Sequence, residues 1–205
     1  FHPVECLFDG VEVPVVAEGG LDEETIARFR LGCAPASGQA LLRHLTGQGF
    51  TEDQAVEAGL ARRPEDGRQP YAFFRDRIIF PVTDARGRVV AFGARLLEGA
   101  GGSAAGAGGP KYLNSPDTPL FHKGQLLYGL AHARDAVLNG TQFIVVEGYL
   151  DVIALHQTGF ASAVAPLGTA VTEAQIAQLW RATREEPGET VAPVVCFDGD
   201  AAGDR

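Results

Sequence analysis

The sequence predicts an α/β protein, with a parallel sheet and flanking helices in its C-terminal part and an α+β subdomain before them. Two short apolar runs, 143–146 and 194–197, each lead into a carboxylate, which is typical of strands buried on both faces of a parallel sheet. A third apolar run, 161–165, lies between them, and helical patterns separate the three runs. That alternation is the order of a right-handed parallel α/β unit. With 205 residues and 45% hydrophobic content, the chain can form one large or two small domains.

The N-terminal part of the chain predicts a hairpin followed by three helices. Residues 1–20 are a lead-in with no assigned function, in which an Asp-Gly pair between two β-like runs is typical of a hairpin. Residues 21–59 contain three helical patterns, and we expect these helices to form a small bundle. Asp22 and Thr51 stand at the N-cap positions of the first and third helices.

The middle of the chain predicts β structure and irregular segments. The apolar runs 78–82 and 88–92 flank Asp-Ala-Arg-Gly, which indicates a hairpin. Apart from Glu98, residues 98–109 are entirely Gly, Ala and Ser, as flexible loops are. Residues 110–118 contain two prolines, so we expect an extended segment there rather than a helix.

The C-terminal part predicts five alternating elements. The last helix has a capping box, formed by Thr172 and Gln175, and a buried face made by Ile176, Leu179 and Trp180. The predicted elements are strand 143–147, helix 150–158, strand 161–165, helix 172–183 and strand 191–198.

Four acidic residues lie where these strands end. Glu147 ends one strand, Asp151 lies in the first turn of the next helix, and Asp198 and Asp200 follow a later strand. If these strands are neighbours, their carboxyl ends meet at one edge of the sheet and the acids converge. Clustered carboxylates need a cation or a shared proton, and all-oxygen ligands favour Mg²⁺ or Mn²⁺. The alternative is that each acid only caps a helix, which single acids at strand ends often do.

The charge of the chain is unevenly distributed. The net charge is −9, which by itself argues against binding to nucleic acid. Residues 71–134, however, contain eight Lys or Arg and only four Asp or Glu. A basic middle segment beside an acidic site fits a polyanion held near metal-binding carboxylates. A solvated basic face is the other interpretation of the same composition.

Composition and cysteine spacing exclude several protein classes. No run of 18 apolar residues occurs, so the sequence predicts no transmembrane helix, and its start lacks the order of a signal peptide. The chain contains no Met, and we expect it to be a fragment or a processed form. Cys6, Cys33 and Cys196 have no zinc-site spacing, so we expect buried reduced thiols in a cytoplasmic protein.

Two families of motifs carry a resemblance to known proteins. The sequences E-G-Y-L-D (147–151) and D-G-D (198–200), each after an apolar strand, resemble the Toprim domain of bacterial primases, topoisomerases and some nucleases. Longer motifs resemble the catalytic core of bacterial DnaG-type DNA primases, over about residues 21–205. They are F-x-R-x-R-I-x-F-P-V-x-D-x-R-G-R-V-x-A-F-G-x-R (73–95), P-K-Y-L-N-S-P-x-T (110–118), F-H-K-G-x-x-L-Y-G-L (121–130), and shorter matches at 21–35, 145–152 and 167–170.

The resemblance implies an architecture and an activity. Residues 21–135 would form the basic N-terminal α+β subdomain of a primase core, and residues 136–205 a Toprim domain that is incomplete at its C-terminus. The implied enzyme is a DNA-directed RNA polymerase of the bacterial cytoplasm, associated with the nucleoid, that makes short RNA primers from ribonucleoside triphosphates on single-stranded DNA. By the same resemblance, zinc would bind to an N-terminal domain and the replicative helicase to a C-terminal domain. We expect neither domain within these 205 residues. No membrane partner is implied.

The resemblance also implies the site residues. Glu147, Asp198 and Asp200 would be catalytic, and together with Asp151 they would hold Mg²⁺ or Mn²⁺. A second group would contact template DNA and nucleotides, the basic members through phosphates and the Tyr and Asn through base or sugar. Its members are Arg75, Arg77, Arg95, Lys111, Tyr112, Asn114 and Lys123.

Two other functions remain open from the sequence. A topoisomerase or nuclease could carry the same Toprim motifs, although a topoisomerase needs a nucleophilic Tyr on a separate DNA-binding domain. None of Tyr71, Tyr112, Tyr128 and Tyr149 has such a context. A fragment that binds single-stranded DNA without synthesis is the other possibility, because members of the family have further acids beyond the last residue of this chain.

Overall fold

The computed structural model describes residues 20–97, 109–168, 171–183 and 192–197, together with the strands β1 (Val4–Glu5) and β2 (Glu12–Val13). The D-G-D motif, most of the Gly/Ala-rich stretch 98–109 and the second half of the motif 167–170 lie outside these residues. The chain divides into two compact units, one comprising 1–81 and 91–120 and the other 82–90 and 121–205. Among the helices that the structure describes, none is long and apolar enough to cross a membrane.

The first part of the chain combines short helices with antiparallel strands. β1 and β2 pair antiparallel, as the lead-in predicts. A four-stranded sheet has the order β3-β6-β7-β8, and β4 pairs with β5. In chain order, the elements are α1 (Glu23–Phe29), β3 (Gly32–Ala34), α2 (Ala40–Gly47), α3 (Glu52–Glu57), β4 (Ala61–Arg62), β5 (Tyr71–Ala72), β6 (Arg77–Thr83), β7 (Val89–Leu96) and β8 (Tyr112–Asn114).

Side-chain caps begin two of these helices, as the sequence predicts. The Thr25 backbone N–H donates to the Asp22 carboxylate over 2.7 Å, and hydrogen bonds from Thr25 lower the pKa of Asp22. Thr51 and Gln54 form the reciprocal capping box of α3, with bonds of 3.2 and 2.8 Å. The predicted three-helix bundle needs correction, because residues 32–34, between α1 and α2, form a strand that pairs with β6.

The second unit is built on a mostly parallel sheet. Its order is β12-β10-β11-β9, with β10 parallel to both β11 and β12 and with β9 antiparallel to β11. The predicted parallel α/β arrangement is therefore confirmed. The elements are β9 (Leu127–Tyr128), α4 (Leu130–Leu138), β10 (Ile144–Val145), α5 (Tyr149–Gln157), β11 (Ala163–Pro166), α6 (Glu173–Ala182) and β12 (Val194–Val195), preceded by a short 3-10 helix (Lys123–Gln125).

Helix α6 begins as predicted but buries a different face. The Thr172 and Gln175 capping box is present, with bonds of 3.2 and 3.0 Å. Leu179 is buried, whereas Ile176 and Trp180 are 43% and 37% exposed, so the predicted buried face is wrong for these two residues. Gln175 takes a buried position instead, because its amide donates to the carbonyl groups of Leu126 (2.8 Å) and Lys123 (3.2 Å).

The cysteines also differ from expectation. Cys33 is buried in β3 and is disulfide-bonded. Cys196 is free and exposed, because it follows β12 at an edge of the described sheet. The expectation of buried reduced thiols is therefore wrong about the oxidation state of Cys33 and about the burial of Cys196.

Candidate functional site

Glu147 lies at the carboxyl end of the parallel strand β10. Hydrogen bonds to β11 continue past the strand, since the Val146 N–H donates to the Val164 carbonyl over 2.9 Å. Gly148 then begins α5 in an extended conformation, and the Glu147 side chain is half-buried. In open α/β sheets, ligands bind beyond the carboxyl ends of the strands. The predicted position of Glu147 is therefore confirmed.

Asp151 is the third residue of α5, in its first turn, as predicted. Its Oδ2 accepts a hydrogen bond from the Gly148 backbone N–H over 3.0 Å, and the side chain is exposed. This hydrogen bond is one reason for an acidic residue at this position. A carboxylate on the third residue of a helix satisfies a backbone N–H that has no other partner within the helix. A carboxylate has about four acceptor positions, so this contact leaves capacity for a cation.

Asp198 and Asp200 lie outside the described residues, and the convergence of all four acids stays a prediction. The strand that leads toward them runs beside β10, with N–H to carbonyl bonds from Val194 to Phe143 (2.8 Å) and from Cys196 to Val145 (2.9 Å). Across the described ranges, no group of three or more His, Cys, Asp or Glu is placed to hold a metal ion. The two carboxylates that are described are chemically suited to a hard divalent cation.

A basic cavity of about 280 Å³ lies in the first unit. Arg75 and Arg77, both predicted to bind nucleic acid or nucleotide, line it together with Arg62. Its remaining walls are mainly aromatic and apolar. They are formed by Ala36, Tyr71, Phe73, Asp76, Leu96, Gly109, Pro110 and Leu113.

Arg77 presents a buried cation to this cavity. Its side chain is nearly inaccessible to solvent, and its Nη1 donates to the Lys111 carbonyl over 3.4 Å. Burial lowers the pKa of Arg77, but an arginine retains its charge in proteins. A β-carbon on Gly109 would lie 3.0 Å from Arg77 Nη2, so a larger residue there would displace the guanidinium. Among the described residues, only the Lys111 carbonyl accepts a hydrogen bond from Arg77, which leaves most of its five N–H donors for an anion.

Aromatic rings orient the other two arginines of the cavity. The Arg75 guanidinium lies 5.0 Å from the centre of the Tyr71 ring, and that of Arg62 lies 5.4 Å from the Phe73 ring. Sequence reasoning missed Arg62 and Tyr71. They face each other across the β4–β5 pair, which brings both residues to the cavity.

The remaining predicted residues of the first unit follow one pair of strands. Tyr112 of β8 pairs with Arg95 of β7, and Asn114 pairs with Gly93. Directly paired residues share a face of the sheet, so Arg95, Tyr112 and Asn114 lie on the same face. Tyr112 is 47% exposed, and Lys111 beside it is also exposed. An exposed ring beside basic side chains is an arrangement that can stack a base and hold its phosphate.

Lys123 belongs to the second unit and begins the short 3-10 helix. Its side chain is exposed, while its carbonyl accepts a hydrogen bond from Gln175. Burial of Gln175 against this turn therefore fixes the backbone that carries the lysine.

Comparison with known proteins identifies relatives of both parts of the chain. Residues 15–134 match the family described as DNA primase catalytic core, N-terminal domain, and residues 141–205 match the Toprim domain. The DNA primase of Pseudomonas putida is 46% identical over 186 residues, which cover 90% of this chain and 26% of that protein. The chain thus spans about a quarter of the length of that curated relative.

Solved structures share the fold. The RNA polymerase domain of Mycobacterium tuberculosis primase DnaG has a TM-score of 0.81 and 34% identity, over 91% of this chain and 58% of that one. A DnaG primase catalytic domain bound to single-stranded DNA has a TM-score of 0.76 and 39% identity, over 94% of this chain and 57% of that one.

Proposed function

Because the chain belongs to the DNA primase catalytic-core family and carries a Toprim domain, we propose that it forms part of a DNA primase. Such an enzyme makes short RNA primers on single-stranded DNA from ribonucleoside triphosphates. The observation that carries the proposal is the position of Glu147 at the carboxyl end of β10, followed by Asp151 in the first turn of α5. The same proposal includes a bacterial cytoplasmic location near the nucleoid.

The acidic residues would supply the chemical site. Glu147, Asp151, Asp198 and Asp200 would hold Mg²⁺ or Mn²⁺, with Glu147, Asp198 and Asp200 as the catalytic members. When bound, such an ion would neutralise the triphosphate and lower the pKa of the attacking 3′-hydroxyl. Glu147 would accept the proton of that hydroxyl or orient it, and its half-buried position supports either role.

The basic residues would position the polyanions. Arg75 and Arg77 would contact phosphates at the cavity, and the shared face of Arg95, Tyr112 and Asn114 would contact nucleotides or template. Lys111 and Lys123 would add exposed positive charge. The buried cation of Arg77 and the relative bound to single-stranded DNA support this part of the proposal.

We also propose the functional boundaries of the chain. Residues 21–135 would be the N-terminal basic subdomain and 136–205 the Toprim domain, with 1–20 as a lead-in. The family matches, which end at 134 and begin at 141, support a boundary in that interval. Zinc and the replicative helicase would be bound by parts of the protein outside residues 21–205.

A primer-synthesis assay on the protein as its gene encodes it tests the proposal. Glu147→Gln should reduce Mg²⁺-dependent synthesis by at least about a hundredfold, because the substitution removes a charge that binds the metal and acts in proton transfer. Asp135→Asn, an exposed acid on α4, is the matched control and should leave synthesis unchanged. Undiminished synthesis by Glu147→Gln would refute the assignment.

The structure argues against a tyrosine-dependent topoisomerase. Tyr128 and Tyr149 are buried, and their rings pack edge to face at 4.7 Å between centroids. Burial raises the pKa of both hydroxyls well above the ordinary value, and Tyr149 raises that of Tyr128 further. A nucleophile needs the opposite shift. Tyr71 stacks against Arg75, and a DNA-cleavage assay would test the exposed Tyr112.

A fragment that binds without synthesis is the second candidate, favoured by the basic cavity alone. Fluorescence titration of labelled single-stranded DNA and the primer-synthesis assay, each with and without Mg²⁺, together distinguish the two. Binding that persists without Mg²⁺ while the protein synthesises no primer would favour the binding fragment. Synthesis that stops when Mg²⁺ is removed would favour the primase.

A further inference from the structure

A second cavity lies at the amino-terminal end of the parallel strands. Its volume is about 280 Å³, and Ile144 of β10, Val194 of β12 and Ser162, just before β11, all line it. Glu147 follows the opposite end of β10, so this cavity is separate from the acidic site. The other lining residues are Ala136, Thr141, Gln142, Gly159, Phe160 and Ala161.

The cavity offers a mainly apolar interior without charged side chains. None of its lining residues, all of which the structure describes, is Lys, Arg, Asp, Glu or His. Phe160 is 54% exposed and Val194 is 46% exposed, so an aromatic and an aliphatic side chain stand at its opening. Placing an ion in such surroundings is unfavourable unless a counter-charge accompanies it. The walls therefore select uncharged ligands.

Ser162 provides one hydrogen-bonding group with an unmet requirement. The side chain is fully buried, and its Oγ has no hydrogen-bond partner among the described residues. Its backbone carbonyl is already occupied, since it accepts from the Ile144 N–H over 3.2 Å. Buried hydroxyl groups in folded proteins nearly always have a partner, so this unpaired atom indicates a position for a polar group of a ligand.

The size of the cavity limits the ligand. An apolar cavity of about 150 Å³ holds benzene, and the pockets that bind drug-sized molecules have volumes of about 300 Å³ or more. A volume of about 280 Å³ lies between these values and suits two fused rings. The exposed Phe160 ring can stack against such a ligand at the opening.

We propose that this cavity binds a small, uncharged aromatic molecule of about two fused rings that forms one hydrogen bond with Ser162 Oγ. The site goes beyond the proposed primase function and does not depend on it. The ligand would contact α4, β10 and β12 together, since Ala136, Ile144 and Val194 belong to these elements. Because the folded state alone offers this site, ligand binding should raise the melting temperature.

Titration of the protein as its gene encodes it with 2-naphthol tests the proposal. Methyl resonances of Ile144 and Val194 should shift in a saturable manner, and the melting temperature should rise. The anion 2-naphthoate, which has the same ring system, should bind at least about tenfold more weakly, because its charge would lose its hydration. No saturable binding of 2-naphthol up to its solubility, or equal binding of 2-naphthoate, would overturn the proposal.

Three variants identify the polar contact and the volume. Ser162→Ala should weaken 2-naphthol binding about three- to tenfold, without lowering the melting temperature of the free protein. Ala136→Leu should abolish binding by filling the cavity. Ser115→Ala is the matched control, because its buried Oγ accepts from the Phe92 N–H over 3.0 Å in the first unit. Ser115→Ala should lower the melting temperature and keep the affinity for 2-naphthol. Unchanged affinity in Ser162→Ala would refute the hydrogen bond between 2-naphthol and Ser162 Oγ.

Discussion

A β-carbon on Gly129 would lie 2.8 Å from Cγ1 of Val152, closer than real side chains approach. The same atom would lie 3.0 Å from the Ala163 carbonyl oxygen. Gly129 has a φ of 81° and immediately precedes α4, so only this residue type fits both the backbone and the space. Val152 follows Asp151 in α5. The absence of a β-carbon at Gly129 therefore allows α5, the helix that carries one candidate metal ligand, to pack close to the start of α4.

Gly129→Ala should lower the free energy of unfolding by about 3 kcal/mol, from the left-handed backbone and the overpacked contact together. Gly140→Ala, at the other end of α4, is the control. It has a φ of 91° but nothing within 4 Å of the added carbon, so a loss of only about 1 kcal/mol is expected. Urea unfolding of both variants measures the difference. Equal losses would show that the contact with Val152 has no energetic effect.

Gly148→Ala should impair primer synthesis more than it impairs folding. Gly148 has a φ of −138°, which any residue adopts, but an added β-carbon would lie 3.3 Å from Asp151 Oδ2. The carboxylate would have to move by a few tenths of an ångström, and displaced catalytic groups lose rate steeply. We expect about a tenfold loss of synthesis with a loss of stability below about 1 kcal/mol.

Primer-synthesis rates and urea unfolding, measured on the same preparations, check this expectation. Gly47→Ala is the control, because the added carbon meets nothing within 4 Å there. Synthesis by Gly148→Ala at the rate of the parent would contradict a metal-binding role for Asp151.

The buried tyrosine pair predicts instability at high pH. Tyr128 and Tyr149 have raised pKa values in the folded state, whereas the unfolded chain ionises its tyrosines near pH 10. The contribution of these two tyrosines to the free energy of unfolding is fully present below about pH 10. It declines above that pH, because tyrosines of the unfolded chain then lose their protons while those of the folded protein keep them. The free energy of unfolding should fall by about 1.4 kcal/mol per pH unit for each tyrosine.

Urea unfolding between pH 9 and 11.5 measures this slope. The Tyr128→Phe and Tyr149→Phe double variant keeps the two rings and removes both ionisations, so its slope should be shallower by up to about 2.7 kcal/mol per pH unit at the alkaline end of this range. Parallel slopes for the two proteins would mean that the hydroxyl groups ionise in the folded state.

Arg75→Ala should weaken binding of single-stranded DNA about three- to tenfold and make it less dependent on salt. Each phosphate contact with a single strand contributes about 0.7 to the slope of log K against log salt concentration. Arg68→Ala is the control, because that side chain is 79% exposed, pairs with Asp66 and does not line the cavity. Fluorescence titrations at several salt concentrations measure the slope, and identical slopes for both variants would exclude Arg75 as a phosphate contact.

Much of the local structure could be predicted because its causes lie within a few residues. The caps at Asp22, Thr51 and Thr172 depend on side chains that reach a backbone N–H three residues away. The positions of Glu147 and Asp151 follow from an apolar run that ends in Glu-Gly and continues as a helix. The gathering of Asp198 and Asp200 with them remains a prediction from the same motifs.

Other features depend on contacts between distant residues. Gln175 rather than Trp180 faces the interior, because carbonyl groups about 50 positions earlier in the chain accept its amide hydrogens. Arg62 reaches the basic cavity only through the pairing of β4 with β5. The Ser162 hydroxyl has no partner among the described residues, and the sequence does not reveal this, because a serine before a strand is ordinary until the elements around it enclose it.

The amino-acid sequence alone determined the α/β class and the acidic motif through periodicity and short spacing, and it indicated the family through the resemblance of its longer motifs to known primases. The tertiary structure decided which face of α6 is buried, which arginines share a cavity and where a hydroxyl lacks a partner. Burial and hydrogen-bond pairing are properties of the packed chain, and residues far apart in sequence settle them jointly.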